Sequence, residues 1–148
     1  LCLIRIILLL NFVITSITIF KEIYMFYTTY FSNVKNLPPN IVPISIAAKP
    51  PAGWTGLEYK KLAPNWSFFS VWRETQDNDY YIEHFQKEIL DELNVLAVVR
   101  DLCTAALLKG TVTDIALVCY ESPEKFCHRH LVSEWLNNNG FVCKEFIK

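Results

Sequence analysis

Residues 119–130 read C-Y-E-S-P-E-K-F-C-H-R-H and bring thiols, imidazoles, carboxyls and a guanidinium into one stretch. Such a set is open to three chemistries. The first is metal binding by Cys119, Cys127, His128 and His130. Thiolate and imidazole suit zinc, but C-x7-C-H-x-H is no familiar finger spacing, and helix neighbours diverge by about 100°. The second is nucleophilic catalysis by a thiolate. A helix start and a nearby histidine lower a thiol pKa, which describes Cys127 beside His128. The strand-end loop of the cysteine phosphatases is not reproduced: Lys125 stands where its arginine would be, and Arg129 comes later. The third is a pocket for an anionic or nucleotide-like ligand, built on Arg129, His128 and Glu121. There a guanidinium and free helix N–H groups meet a phosphate or carboxylate. Each chemistry has an architectural counterpart. Cys119 and Cys127 are then small buried hydrophobes, and Glu121 and Arg129 a structural ion pair.

These residues need a strand that ends and a helix that begins around them. Residues 113–119 supply the strand, because the continuous apolar run Ile115–Val118 is the pattern of a strand covered on both faces. Ser122 reads as an N-cap and Pro123 as a first helical residue, which predicts a helix to about Asn138, ended by Gly140. Cys127, Leu131 and Trp135 fall on one stripe of that helix, so Cys127 is expected to face the sheet, with His128 beside Val132 and Leu136 and Arg129 projecting elsewhere.

Upstream, residues 25–30 and 41–48 read as strands, with Pro43 suggesting an edge or a strand start in the second. Residues 49–66 hold three prolines and two glycines and read as a long irregular loop, a kind that is often functional. Helices are expected at 67–74, at 79–93 with Ile82, Phe85, Ile89 and Leu93 inward, and at 94–109 with Asn94 as cap. A last strand is expected at 141–147. Helices alternating with buried strands imply an α/β fold with a single small, mainly parallel sheet in Rossmann-like layers.

Composition sets the outer bounds. The chain has 148 residues, 52% hydrophobic and 20% charged, enough to build a core. A net charge of −1 gives no global pull toward nucleic acid. Five cysteines without a C-x-x-C pair predict reduced thiols and a cytoplasmic compartment. Residues 1–24 are nearly all apolar and are read as an extension outside the 25–148 domain: upstream translation before Met25, or alternatively a membrane anchor or a cleaved signal. A membrane partner is expected only through that extension.

The string C-Y-E-S-P-E-K-F-C-H-R-H-L-V-S-E-W-L at 119–136 resembles the signature of the domain-of-unknown-function 488 family, a C-x-E stretch followed by C-H-R. Y-T-T-Y-F at 27–31, P-I-S-I-A-A-K-P-P at 43–51 and G-L-E-Y-K-K-L-A-P at 56–64 resemble its compact bacterial and phage branch. The similarity covers residues 25–148. It implies an α/β domain with a shared pocket and brings no established reaction or cofactor. It also implies Tyr30, Lys49, Glu121, Cys127, His128 and Arg129 as pocket positions.

The leading expectation is a pocket at 119–130 that acts on a phosphate-bearing or nucleotide-like ligand. Arg129 holds the anion, Glu121 or His128 moves a proton, and Cys127 packs or attacks. Tyr30, Thr29 and Lys49 form the wall, and Tyr59 with Lys60 and Lys61 closes over the ligand. Trp54, Trp66, Phe68, Phe69 and Trp72 are expected mainly in the core. One alternative is a non-catalytic nucleic-acid or protein binding module, with a patch of Lys35, Lys49, Lys60 and Lys61 beside an exposed tryptophan. A zinc-binding domain is the other. No cofactor and no metal ligand is assigned in the leading reading.

Overall fold

The computed structural model describes residues 24–110 and 114–148, together with Thr18 and Lys21. The strands are β1 (Met25–Tyr30), β2 (Ile41–Ser45), β3 (Leu57–Glu58), β4 (Asp114–Cys119) and β5 (Cys143–Glu145). They form one sheet in the order β3-β2-β4-β1-β5, with every pairing parallel. The α/β expectation holds, and the sheet is wholly rather than mainly parallel. The expected extension at 1–24 lies almost entirely outside the described residues. Among the described residues no helix is long and apolar enough to cross a membrane.

β4 is the sheet's axis. It pairs with β1 from Met25↔Asp114 to Tyr30↔Cys119, and with β2 from Ile41↔Asp114 to Ser45↔Val118. Neighbours on both edges and layers on both faces explain why Ile115, Ala116, Leu117 and Val118 are fully buried. β2 is an inner strand, which departs from the edge suggested by Pro43. The proline is still at an edge locally. Ile46 N–H donates to the Val118 carbonyl and Tyr59 N–H to that of Ser45. By alternation Pro43 points the way Ser45 does, toward β3, and β3 begins only opposite Ile44. The 49–66 segment is therefore not wholly irregular, since β3 and a short 3-10 turn at Lys60–Leu62 interrupt it.

Between β3 and β4 run α1 (Trp66–Thr75), α2 (Asn78–Phe85), a π turn (Gln86–Leu90) and α3 (Val95–Leu107). Asp77 and Asn94 cap α2 and α3 by accepting the N–H groups of Tyr80 and Ala97. The single helix expected at 79–93 is thus interrupted. Tyr81 and Phe85 face inward from α2 while Ile82 is exposed, and the wide π turn that follows buries Ile89 and Leu90 together.

α4 (His128–Asn138) follows β4. It begins later than the Ser122–Pro123 signal predicts, and residues 120–127 form a loop capped by Cys127. The stripe moves accordingly. His128, Arg129, Val132 and Leu136 are buried, whereas Leu131 and Trp135 are half-buried at the margin. Gly140 ends the helix with φ +82°, a left-handed conformation that side chains resist, and Phe141 N–H closes back on the Leu136 carbonyl. This turn seats Phe141 edge-on against Phe26 of β1.

Candidate functional site

The carboxyl ends of β1, β4 and β2 lie together, and ligands of parallel α/β sheets sit at such ends. A cavity of about 460 Å³ opens there. Its floor holds Cys119, Cys127 and His128, and its walls include Trp72, Tyr81, Phe126 and Phe69, with Lys49 and Glu121 also in the lining. The lining is mostly apolar and aromatic, with few polar groups, as is usual for small-molecule sites.

Cys119 ends β4 and Cys127 caps α4, so strand and helix carry their thiols to one point. Cys119 Sγ lies 3.7 Å from His128 Nδ1. His128 Nε2 lies 3.0 Å from the Ile46 carbonyl. A carbonyl only accepts, so Nε2 carries the ring proton of neutral His128 and Nδ1 offers a lone pair to the sulfur.

The two thiols are driven apart in acidity. A hydrogen bond from Cys119 holds the Cys127 thiol well below its usual range against the opposing effect of burial, with a protonated His128, where present, adding to the shift. Cys119 moves strongly upward, as donor to Cys127 and through burial. Cys127 is therefore the more acidic thiol of the pair and Cys119 the less acidic. The remaining described cysteines behave as ordinary buried thiols: burial pushes Cys103 up to about 12 and Cys143 up to about 11. Tyr81 is 2% exposed, and burial, then Cys119 and Cys127, raise its pKa, so its phenol stays protonated beside them.

Arg129 does not project outward. It is fully buried, its Nε and Nη2 donate to the Glu145 carboxylate at 3.0–3.3 Å, and its Nη1 donates to the Glu121 carbonyl. Glu145 also accepts from Thr28 Oγ1. A buried guanidinium needs this degree of pairing. Arg129 therefore ties β5, β1 and the 120–127 loop together beneath the cavity and is not among the lining residues. The Glu121 side chain faces Lys125 at 3.9 Å instead of forming the ion pair with Arg129 considered from sequence.

Of the remaining expected site residues, Lys49 lines the cavity, and its carbonyl accepts from Tyr120 Oη at 2.6 Å. Tyr30, Thr29 and Tyr59 are not among the lining residues. Thr29 accepts from Asn33, and Tyr59 Oη donates to Asp101. Lys60 is held by the Ala47 and Ala48 carbonyls and by Glu58, and Lys61 by Asp101, so neither is a free cation in a patch. His130 faces Glu145 at 3.9 Å and is not part of the Cys119–Cys127–His128 cluster. Of the aromatic run, Phe68 is core, Trp66 is 65% exposed, and Phe69 and Trp72 turn to the cavity.

Sequence reasoning passed over Tyr81, Phe126 and Glu145 as site residues. The available signal for Glu145 was Arg129 itself: a guanidinium on a helix face that packs on a sheet demands a carboxylate, and the last strand holds one. Tyr81 carried no signal beyond its place on an amphipathic helix.

A parallel α/β sheet with a cysteine–histidine centre at its carboxyl end defines the class. The chain matches the family described as the active DUF488-N3 subclade over residues 33–140. It belongs to that DUF488 family. No curated protein and no solved structure matches it.

Proposed function

We propose that this protein is an enzyme that uses the Cys127 thiolate as a nucleophile on a small nucleotide-like ligand. The observation that carries the reading is the position of Cys127. Its sulfur borders the cavity, caps a helix, and has Cys119 and His128 against it. A depressed thiol pKa in such surroundings marks a reactive cysteine more often than a packing one.

Phe69, Trp72, Tyr81 and Phe126 offer faces and edges to a flat heterocycle, and Lys49 offers a cation to a phosphate or other anionic group. Arg129 serves as a positioning residue in this reading, because its charge is already satisfied by Glu145. In the reaction the Cys127 lone pair forms a bond to an electrophilic carbon of the ligand. The displaced group leaves with the old bonding pair and takes a proton from solvent entering the cavity. A water oxygen then bonds to the same carbon, the carbon–sulfur pair returns to Cys127 as thiolate, and the water's proton passes to solvent.

The test is protection of Cys127 from iodoacetamide by a panel of nucleosides, nucleotides and sugar phosphates, with modification mapped by peptide mass. At least one heterocyclic compound is expected to slow alkylation of Cys127 and to raise the melting temperature. Trp72→Ala and Lys49→Ala should weaken both effects. A fast-reacting Cys127 that no compound protects would leave the ligand class wrong. A Cys127 no faster than Cys143 would remove the nucleophile.

A further inference from the structure

The floor of the cavity has a property that nucleophilic attack does not require. One ligand atom each from Cys119, Cys127 and His128 all lie within 4.8 Å of one another, and all three side chains are buried. His128 presents Nδ1 to this cluster because its Nε2–H is given to the Ile46 carbonyl. Metal-ligating histidines are commonly fixed in this way, with the far nitrogen donating to a backbone carbonyl.

The spacing can be compared with a real coordination sphere. Tetrahedral zinc, with Zn–S of about 2.3 Å and Zn–N of about 2.0 Å, sets sulfur and nitrogen roughly 3.5 Å apart. Cys119 Sγ and His128 Nδ1 stand 3.7 Å apart, so little movement is needed. Two thiolates and a neutral imidazole balance the charge of a divalent ion, and this soft donor set disfavours magnesium and calcium. The neighbouring Arg129 charge is held by Glu145, which limits its repulsion of a cation.

We propose that Cys119, Cys127 and His128 bind one zinc ion, with the fourth coordination position turned to the cavity. His130, which the sequence spacing would have included, takes no part. Three protein ligands and one open position are the pattern of reactive rather than purely structural zinc sites. The metal also takes up the Cys127 lone pair, so its arrival switches the nucleophile off. That second half rests on the proposed function, whereas the binding site does not.

The experiment uses the full chain, stripped of metal with a chelator, and has two readouts. In the first, Co2+ is titrated as a spectroscopic substitute. One equivalent is expected to give a thiolate-to-cobalt charge-transfer band and the visible bands of tetrahedral cobalt, both lost when Zn2+ is added. Cys119→Ser and His128→Ala should lower affinity by roughly tenfold or more, with circular dichroism showing whether each variant folds. The wild-type titration decides the matter even if a variant does not fold. In the second readout, iodoacetamide alkylation of Cys127 is timed with and without one equivalent of Zn2+. Rapid alkylation that zinc suppresses supports both halves. Rapid alkylation unaffected by zinc, with no charge-transfer band, overturns the metal site and leaves the proposed function standing. Slow alkylation with a clear band upholds the site and removes the nucleophile, and with it the switch. Slow alkylation without a band overturns both.

Discussion

Cys127 and Arg129 are two residues apart, yet they do opposite things. Cys127 borders the cavity with its charge stabilised by hydrogen bonds, whereas Arg129 is fully buried with its charge cancelled by Glu145. The pairing predicts a steep stability cost. Glu145→Gln leaves a buried guanidinium without its counter-charge, and breaking such a pair costs about 3–5 kcal/mol. Urea denaturation should report most of that loss. A change below about 1 kcal/mol, the size of an exposed ion pair, would mean that Arg129 had found another partner. The thiol pair predicts a pH effect with a definite sign. Cys119→Ala removes the leading hydrogen bond that lowers the Cys127 pKa, so the inflection of its alkylation profile should move upward. The thiolate's contribution to stability has the same sense. With its folded pKa depressed, it is present above the unfolded thiol pKa and fades as pH falls toward the folded value. At this scale the sequence was legible in residue type and illegible in direction. The C-H-R string identified the right neighbourhood, but one helical step separates a side chain that lines a cavity from one that is sealed beneath it.

Among the elements, the strand–loop–helix unit from β4 to α4 positions the site, and its boundaries explain the differences between expectation and structure. Ser122-Pro123 has the composition of a helix start, yet the helix waits until His128 and is capped by Cys127. The delay turns Cys127 from a helical residue into the N-cap residue of α4, with extended backbone. It also moves the buried stripe to His128, Val132 and Leu136. Local propensity cannot supply this, because the thiolate and Arg129 acquire their partners from β4 and β5, distant in sequence. At Asn94 the local signal sufficed. Asn94 caps α3 as its sequence suggests, accepting Ala97 N–H at 3.0 Å. Asn94→Ala should therefore lower stability by about 1 kcal/mol in thermal or urea unfolding. No measurable change would imply that water or another side chain satisfies those N–H groups equally well.

For the whole molecule, a mainly parallel sheet was legible because its central strand announces itself as an unbroken apolar run between helical patterns. The strand order was not, since parallel pairing is decided by which helix covers which face. Leu117 is fully buried in that strand, and Leu117→Ala should cost about 2–5 kcal/mol, read as a lower urea midpoint. The same layering buries the thiol pair against the cavity, and thereby joins fold to chemistry: Cys127 is 5% exposed yet lines the cavity. The most direct measurement is the pH dependence of iodoacetamide alkylation at Cys127 in the metal-free full chain, mapped by peptide mass against Cys143. A Cys127 rate that stays high well below the ordinary thiol pKa of about 8.5, while Cys143 reacts only in alkali, is the predicted result. Two cysteines titrating together in the alkaline range would contradict the account and return Cys127 to the core.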